Sequence, residues 1–301
     1  MALLTMIIFP ILKMILLLSL PFLFIGVINK VKAKFAGKQG ASIFQPYFDF
    51  NRLMNKGEVI SETATGIFRV APVINLACLI VAAMLVTVIH FEGDFILFSY
   101  LLALGKFVSV AAAMDTGSSF EGMGASREVS YTSLIEPAFF IIISSICALN
   151  GVYSFASLAH LFWSNNDIMI LIALATVFAL FLIILIEGSR VPIDDPKTHL
   201  ELTMIHEVMV LDNSGVDLAF IQYGAALKMM LFTTIITMTI APLSFVGSVL
   251  VALAIAVLIG IIESLCARIR LTHIIEYTFT LIVAALIVMA LVLLIMHGGH
   301  L

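Results

Sequence analysis

Residues 171–186 read LIALATVFALFLIILI, and EGSRVPIDDPKTHLE follows at residues 187–201 with no spacer. An apolar run of this length, without a charged side chain, is typical of a helix that crosses a lipid bilayer. The stretch behind it places six ionisable side chains other than histidine at the helix end: Glu187, Arg190, Asp194, Asp195, Lys197 and Glu201. Because charge at that depth is costly, such residues indicate a functional site.

Composition places the chain among polytopic membrane proteins. Of its 301 residues, 62% are hydrophobic and 11% charged, and the mean hydropathy is +1.19. A bilayer core needs roughly 20 apolar residues per helix. We therefore predict an all-α polytopic protein with about eight transmembrane helices, forming one integral membrane domain over residues 1–301. The predicted spans are 3–28, 70–90, 95–114, 134–154, 167–187, 224–241, 244–266 and 274–296.

The distribution of lysine and arginine predicts the orientation of the spans, because loops rich in these residues stay cytoplasmic. The connections after spans 2, 4 and 6 have no lysine or arginine. The other connections carry Lys30, Lys32, Lys34, Lys38, Arg52, Lys56, Arg69, Arg127, Arg190, Lys197, Arg268 and Arg270. We expect the odd-numbered connections to face the cytoplasm and both termini to lie outside it.

The first cytoplasmic connection, VKAKFAGKQGASIFQPYFDFNRLMNKGEV, contains an amphipathic pattern. On a helical wheel one side carries Ile43, Phe44, Tyr47 and Phe48. The other side carries Gln45, Asp49, Arg52 and Lys56. This pattern predicts a short helix in the membrane interface. Its role is either anchoring to anionic lipid, which the pattern alone favours, or docking of a partner, with Phe44, Gln45, Tyr47, Asp49 and Arg52 as the interfacial residues.

The second connection, DTGSSFEGMGASREVSYTSLIEP, spans residues 115–137. Gly117, Gly122 and Gly124 predict a flexible or tightly turned backbone. Pro137 suits the first turn of span 4, and Glu136 before it would lie near a helix N-terminus. The segment is either a capped, solvated loop or part of a charged site. Its ionisable side chains are Asp115, Glu121, Arg127, Glu128 and Glu136.

The third connection begins at Glu187. Pro192 cannot continue the helix of span 5, and Asp195-Pro196 resembles an N-cap followed by a first helical position. We predict a helix from about Pro196 to Met209 that carries His199, Thr203 and His206 on one face. The carboxylates of this connection are Glu187, Asp194, Asp195, Glu201, Glu207, Asp212 and Asp217.

The two histidines of this connection, His199 and His206, do not have the spacing of a zinc-protease site. We predict no metal ion there, and proton exchange suits the two imidazoles better. The three cysteines, Cys78, Cys147 and Cys266, form no CxxC pair and are interpreted as buried, inert thiols.

Ionisable residues also occur inside the predicted spans. Lys106 lies near the middle of span 3 and Glu263 well inside span 7. Such residues face protein or water, pair with each other, and mark ion routes. Lys228 could pair with Glu187 or with Glu263. We expect these groups to form a hydrated charged axis that leads from the third connection.

Three motifs resemble those of a known family: EGSRVPIDDPKTHLELTMIHEVM, QGASIFQPYFDF and GASREVSYTSLIEP. They are similar to the membrane subunit of group 4 energy-converting NiFe hydrogenases, of the formate hydrogenlyase type. That family is homologous to the eight-helix membrane component of respiratory complex I that lines the quinone chamber. Complex I members typically read ETNRAPFDxxExExEL here, so Gly188-Ser189, Asp195-Pro196 and Thr198-His199 favour the hydrogenase branch over a quinone site.

The resemblance implies a non-catalytic subunit without its own cofactor, located in a prokaryotic cytoplasmic (inner) membrane. Its expected partners are the hydrophilic large and small hydrogenase subunits with a ferredoxin-like subunit, an antiporter-like membrane subunit and the lipid bilayer, but no nucleic acid. The NiFe centre and the iron–sulfur clusters belong to those partners. By this resemblance Glu121, Arg127, Glu128, Glu187, Asp194 and Glu201 are coupling residues. The residue patterns add Lys106, Glu136, Arg190, Asp195, His199, His206, Lys228 and Glu263.

Two alternatives remain open from the sequence. One is a quinone-chamber subunit of an NADH:quinone oxidoreductase. The other is a standalone secondary ion transporter, which typically shows paired repeats with broken helices at the membrane midplane. The two halves of this chain show no convincing similarity, and the charges gather on one side of the membrane, so the transporter is disfavoured.

Overall fold

The computed structural model describes residues 2–158, 167–194, 204–240 and 245–298. Every regular element within these ranges is a helix. In chain order they are α1 (Ala2–Ser19), α2 (Pro21–Phe35), α3 (Gln45–Met54), α4 (Gly66–Thr87), α5 (Asp94–Asp115), α6 (Ser119–Asn150), a 3-10 turn (Phe155–Leu158), α7 (Asp167–Glu187), α8 (His206–Met209), α9 (Gly215–Ile240), α10 (Phe245–Leu265) and α11 (Leu271–Gly298).

Seven of these helices are long and apolar enough to cross a membrane, namely α4, α5, α6, α7, α9, α10 and α11. The pair α1 and α2 makes an eighth span if counted together, although the two helices are bent by 50°. The prediction of an all-α polytopic membrane protein is therefore confirmed. The span predicted over 3–28 corresponds to this bent pair, in which Pro21 has no N–H to continue the helix of α1 and α2 runs on to Phe35.

Two tyrosines hold the break between α1 and α2. The Tyr223 hydroxyl in α9 donates to the carbonyl of Leu18 at 2.6 Å, and the Tyr47 hydroxyl in α3 donates to the carbonyl of Ser19. Carbonyls at a helix end lack partners within the helix, so these hydroxyls satisfy them. Burial raises the pKa of the Tyr47 phenol, which keeps it a hydrogen-bond donor.

The predicted amphipathic helix is α3, and its packing side includes a ring that the prediction left out. Tyr47 and Phe50 pack against Phe22, with ring centroids 5.3 Å apart in both pairs. Phe44 and Phe48 are 54% and 63% exposed. The ring of Phe44 lies 6.3 Å from that of Tyr47, in keeping with the predicted grouping, and the hydroxyl partner of Tyr47 at the α1–α2 break fixes which rings turn inward. On the outer side, the amide of Gln45 donates to Asp49 at 2.9 Å, and Arg52 is exposed.

The glycine-containing segment 119–133 is helical, which corrects the prediction of a loop. It forms the first half of α6, a helix of 32 residues that begins at Ser119. Pro137 and Glu136 consequently lie inside a helix and not at its start. Membrane helices tolerate internal proline because neighbouring groups satisfy the freed carbonyl. Gly117 does turn the chain, with φ of +69°.

Gly124 gives α6 its close contact with α8. A Cβ at this position would lie 2.4 Å from Val208 Cγ1 and 2.9 Å from the carbonyl oxygen of Ile205. A Cβ at Gly122, in contrast, would meet no heavy atom within 4 Å. Gly117 therefore turns the chain and Gly124 allows the contact with α8, whereas Gly122 is not required by packing.

Replacing Gly124 by alanine is expected to destabilise the protein by about 1–3 kcal/mol and to displace α8, because a packed contact becomes too crowded. Replacing Gly122 by alanine is the matched control, expected to stabilise α6 by up to about 1 kcal/mol through helix propensity. Amide hydrogen exchange over residues 204–210 and the melting temperature would measure both effects. Equal behaviour of the two variants would contradict the assigned packing.

Hydrogen bonds between connections define two faces of the bundle. On one face, the N–H of Thr65 donates to Asp115 at 2.7 Å, and the N–H of Val59 donates to the hydroxyl of Ser214 at 2.9 Å. We call this surface, formed by residues 36–65, 116–118, 188–194, 204–214 and 266–270, the loop-rich face. On the opposite face, Asp94 accepts from the N–H of Phe155 at 2.9 Å.

The core lies between the helices and contains few polar groups. The buried rings of Phe98, Phe139 and Phe232 meet where α5, α6 and α9 pack, with centroids 5.6–6.1 Å apart. Cys78 and Cys147 are buried, as predicted, but Cys266 is exposed because it follows the end of α10. This scaffold carries several ionisable side chains into its interior, just below the loop-rich face.

Candidate functional site: buried charge clusters below the loop-rich face

Glu187, the last residue of α7, is bound by two lysines from two other helices. Its Oε1 lies 2.6 Å from Lys106 Nζ on α5, and its Oε2 lies 2.9 Å from Lys228 Nζ on α9. The Lys106 ammonium also contacts Thr132 Oγ1 at 2.9 Å and Glu128 Oε1 at 3.3 Å, both on α6. All of these ionic side chains are largely buried. We call these five residues the Glu187 cluster.

The geometry of the helices explains this meeting of charges. Lys106 lies nine residues before the end of α5, more than two turns below the loop-rich face. Glu128, Thr132 and Glu136 recur every four residues, which places them on one face of α6. Glu136 is half-buried and within electrostatic range of Lys106 and Glu187. A lysine in the middle of an apolar helix is thus surrounded by acceptors from α6 and α7.

A second cluster surrounds Glu263 on α10. Its carboxylate has no solvent exposure and lies 2.7 Å from Lys32 Nζ on α2 and 3.4 Å from Arg190 Nη1. We call these three residues the Glu263 cluster. Two cations share one buried carboxylate here, and among the described residues the Arg190 Nε has no hydrogen-bond partner. Lys228, for which Glu187 and Glu263 were both possible partners, pairs with Glu187.

A third cluster surrounds Asp194, which is 1% exposed. One carboxylate oxygen lies 3.0 Å from Arg268 Nη2, and the other accepts from the N–H groups of Ile205 and His206, each at 3.1 Å. We call Asp194 and Arg268 the Asp194 cluster. Arg127 supports the same region because its Nη1 donates to the carbonyl of Met204 at 2.9 Å.

One short stretch, residues 188–194, connects the three clusters, and we call it the exit segment. Glu187 precedes it, and Arg190 and Asp194 lie within it. Gly188 is required at its start, because a Cβ there would lie 2.7 Å from Met229 Cγ and from the carbonyl oxygen of Ile184. Ser189 follows with φ of +49°, in the left-handed region that side chains rarely adopt. The three ionic clusters are therefore connected through seven residues of backbone, which begin directly after the Glu187 carboxylate and carry the Arg190 guanidinium and the Asp194 carboxylate.

Glu121 lies apart from these clusters, near the start of α6. Its side chain is fully buried, and its Oε1 accepts from the N–H of Asp212 at 3.0 Å. This bond ties the first turn of α6 to the connection between α8 and α9. The observed contact is structural, and it does not bring Glu121 to the Glu187 cluster.

Two small cavities adjoin the Glu187 cluster. The larger, about 50 Å³, is lined by polar groups of Asn75, Glu187, Ser189, His206 and Lys228. The smaller, about 10 Å³, lies among residues that include Lys106, Glu128 and Asp194, and Ser189 lines it too. A polar cavity holds a water molecule from roughly 10–15 Å³ upward. Water in these spaces would connect His206 to the ionic groups on both sides of Ser189.

The motif-based resemblance is matched by sequence comparison. The profile of the NADH dehydrogenase family covers residues 7–295 of the chain. The chain belongs to this family. Among its relatives, hydrogenase-4 component C of Escherichia coli (strain K12) is 29% identical over 285 residues, which cover 87% of this chain and 88% of the relative. Formate hydrogenlyase subunit 4 of the same organism is 24% identical over 288 residues, which cover 88% and 92%.

A solved structure shares the fold of this NADH dehydrogenase family member. A chain of the membrane-bound sulfane sulfur reductase, an archaeal respiratory membrane complex, superposes with a TM-score of 0.79. The match covers 95% of this chain and 99% of that chain at 19% identity. Together with the two relatives, this confirms the resemblance to the membrane subunits of hydrogenases and their complex I-like homologues, and places the chain among multi-pass membrane proteins.

The structure brings together most of the predicted coupling residues. The Glu187 cluster contains Lys106, Glu128, Glu187 and Lys228, while Arg190, Glu263 and Asp194 form the neighbouring clusters. Asp195, His199 and Glu201 lie outside the described residues, as do residues 196–203 of the helix predicted from Pro196 to Met209. The described end of that prediction was wrong: residues 204–205 are not helical, and α8 is a separate short helix over His206–Met209, because the N–H groups of Ile205 and His206 donate to Asp194. Within the described ranges, no three His, Cys, Asp or Glu side chains are arranged to hold a metal ion.

Sequence reasoning missed Lys32, Thr132 and Arg268 as members of these clusters. Lys32 and Arg268 were noted only as basic residues that orient the chain, yet each one pairs with a buried carboxylate. Their positions near the ends of α2 and α10 are the only available signal, since a basic side chain near a helix end can reach down to a buried acid. The charge pattern of a loop does not show which buried carboxylate each of its basic side chains will contact.

Proposed function

We propose that this chain is the membrane-anchor and coupling subunit of a membrane-bound NiFe hydrogenase complex. It holds the hydrophilic electron-transfer arm at the loop-rich face and links the redox chemistry of that arm to translocation of H⁺ or Na⁺. The NiFe centre and the iron–sulfur clusters belong to the partner subunits, and an antiporter-like membrane subunit carries the ion onward. Its sequence relatives, components of hydrogenase-4 and formate hydrogenlyase, support this assignment.

The observation that carries the proposal is the position of Glu187. One buried carboxylate is shared by two lysines and stands directly before the exit segment. A buried charge is costly unless it is paired. Few other arrangements would keep all of these charges paired, so a small displacement of one residue would change the ion pairs. Moving the exit segment would change the pairing of Glu187, Arg190 and Asp194 at the same time, which provides a mechanical link between a docked arm and the membrane.

The two cavities supply the second part of the mechanism. An imidazole exchanges protons readily near neutral pH, and His206 lines the same 50 Å³ cavity as Glu187 and Lys228. Protons would pass from the loop-rich face through His206 and cavity water to the Glu187 cluster. From there, the Lys106 ammonium and Glu128 extend the charged route along α5 and α6.

Orientation and docking follow from the loop-rich face. The basic residues of the connections that it contains support a cytoplasmic location for this face. Both termini then lie on the extracytoplasmic side of a prokaryotic inner membrane. The exposed rings of Phe44 and Phe48 on α3 provide an apolar contact for lipid or for the base of the arm, and Arg52 adds a positive charge beside them.

A quinone-chamber subunit of an NADH:quinone oxidoreductase is the second candidate, since the family profile includes such proteins. The cavity beside Glu187 argues against it. Small-molecule sites typically measure about 300–1,000 Å³. The space among the described residues here is about 50 Å³, which is room for water and too little for a quinone ring.

Purification of the tagged chain from its own membranes in mild detergent would separate the two candidates. We expect co-elution with a nickel-containing subunit and evolution of hydrogen from a reduced dye. NADH-to-quinone activity that is blocked by quinone-site inhibitors, without nickel, would overturn the proposal in favour of the second candidate.

Replacing Glu263 by glutamine is expected to reduce ion translocation per hydrogen evolved, while the dye-linked activity stays intact. The change keeps the side-chain shape but leaves Lys32 and Arg190 without their shared anionic partner. Glu276→Gln is the matched control, because Glu276 is exposed and its ion pair, with His273, lies on the same helix. Unaltered translocation in the Glu263 variant would exclude this residue from the route.

A further inference from the structure

A third cavity, larger than the two described above, lies towards the opposite face. It measures about 290 Å³ and is enclosed by α1, α2, α4, α9 and α10. This volume is near the lower end of the roughly 300–1,000 Å³ typical of small-molecule sites. The route proposed above does not use this cavity.

One end of this cavity is polar. Ser248 lies in the first turn of α10, Thr237 in the last turn of α9, and His90 just after the end of α4. Lys13 belongs to the same end, because it is the first residue of α1 that lines the cavity and the chain runs from it towards the loop-rich face. These helix ends all meet the opposite face, so the polar end is at the level of a membrane interface.

The polar end offers hydrogen-bond donors to an anion. Lys13 lines the cavity, and a lysine at this depth extends its ammonium towards the interface. His90 Nδ1 lies 3.6 Å from the buried carboxylate of Asp94, which leaves Nε2 as the ring nitrogen available to a ligand. Asp94 itself is occupied by Ser154 and by the N–H of Phe155.

The other end of the cavity is apolar. It is lined by Leu17 and Phe24, next to the α1–α2 break, and by Leu253 on α10. Lipid lies beside it, because Leu16 and Val249 line the cavity while their chain neighbours, Ile15 and Leu250, are 57% and 60% exposed. The space therefore has a cationic end at the interface and an apolar interior beside the bilayer.

We propose that this cavity binds an anionic phospholipid from the outer leaflet. The phosphate of the headgroup would contact Lys13 and His90, and one acyl chain would fill the apolar end. Charge complementarity favours an anionic headgroup over a zwitterionic one, because a charge-assisted hydrogen bond is the stronger kind. Each methylene of the acyl chain that is buried in the apolar end adds to the affinity. The lipid would support the bend between α1 and α2.

Native mass spectrometry of the purified protein, titrated with phosphatidylglycerol or phosphatidylcholine, would test this. We expect one tightly held phosphatidylglycerol per chain and weaker binding of phosphatidylcholine. Lys13→Gln should weaken phosphatidylglycerol binding by about tenfold and abolish the preference between the two lipids. Leu253→Trp, which fills the apolar end, should weaken both lipids. Lys38→Gln, at an exposed lysine of the loop-rich face, should change neither.

Equal binding of the two lipids by the unaltered protein would overturn the proposal without recourse to any variant. Displacement of the bound lipid by millimolar inorganic phosphate would assign the polar end to a free anion instead. Unchanged binding in both Lys13→Gln and Leu253→Trp, with melting temperatures like that of the unaltered protein, would also contradict it. If Lys13→Gln does not fold, the lipid preference and the Leu253 variant still decide the question.

Discussion

Replacing Glu187 by alanine is expected to lower the free energy of unfolding by about 3–5 kcal/mol, the usual loss when one partner of a buried ion pair is removed. The reason is that Lys106 and Lys228 would both keep their charge in a largely buried site, and only Lys106 would retain a carboxylate, that of Glu128. The melting temperature in detergent should fall by on the order of 10 °C. Glu62→Ala is the control, because Glu62 is exposed.

A second variant tests whether lost charge compensation is the cause. Combining Glu187→Leu with Lys228→Leu removes an anion and a cation together, and apolar replacement of a buried pair is often nearly neutral. The double variant should therefore be more stable than Glu187→Leu alone. If the double variant is the less stable of the two, the energetic role assigned to the Glu187–Lys228 pair is wrong.

Replacing Asp194 by alanine is expected to detach residues 204–206 from the exit segment. The carboxylate accepts two backbone N–H groups and pairs with Arg268, and hydrogen bonds to a charged group contribute about 1.5–3 kcal/mol each. We expect faster amide exchange at Ile205 and His206 and a clear loss of stability. Peptide-level hydrogen–deuterium exchange would measure it.

Asp194→Asn provides the matched comparison for that experiment. The amide oxygen can still accept one of the backbone hydrogen bonds, but the ion pair with Arg268 is lost. Its exchange rates should lie between those of the unaltered protein and the alanine variant. Exchange over residues 204–210 that is unchanged in both variants would show that Asp194 does not hold this segment.

Features set by local chemistry could be predicted from the sequence. The apolar runs predicted α5, α7 and α10 to within one residue at each end, and α4 and α11 to within four, because the length of a bilayer-crossing helix is fixed by membrane thickness. The amphipathic pattern after the first span predicted α3, because apolar and polar side chains separate onto two sides of a helix in the membrane interface. Two partners were predicted for Lys228, Glu187 or Glu263, and the structure selects Glu187; the choice was narrow because few carboxylates are within reach of a lysine inside a membrane.

Features set by tertiary packing could not be predicted from the sequence. The glycines at 122 and 124 indicated a loop, but packing against α8 makes Gly124 part of a helix. The inward side of α3 depends on the carbonyl that Tyr47 meets at the α1–α2 break, which no local pattern contains. The pairing of Lys32 with Glu263 joins residues from α2 and α10, and only the packing of those helices defines it.

The exit segment accounts for the feature that first marks the sequence, the dense charge at the end of an apolar helix. Each charge in the described part of that stretch has a partner from another helix or from the chain behind it: Glu187 with Lys106 and Lys228, Arg190 with Glu263, and Asp194 with Arg268. Residues 187–194 are thus a junction between helices and not a solvated acidic loop. Such a junction suits a subunit that transmits displacement.

The most direct test of the central claim is ion translocation by the complex reconstituted in lipid vesicles, with Glu187→Gln compared with Glu62→Gln. Hydrogen evolution from a reduced donor would be recorded together with a pH-sensitive dye and sodium uptake. We predict that Glu187→Gln retains hydrogen evolution but loses translocation by about a hundredfold, as expected when a positioned proton-transfer group is removed, while Glu62→Gln behaves like the unaltered complex. Full translocation of either ion by the Glu187→Gln complex would contradict the account.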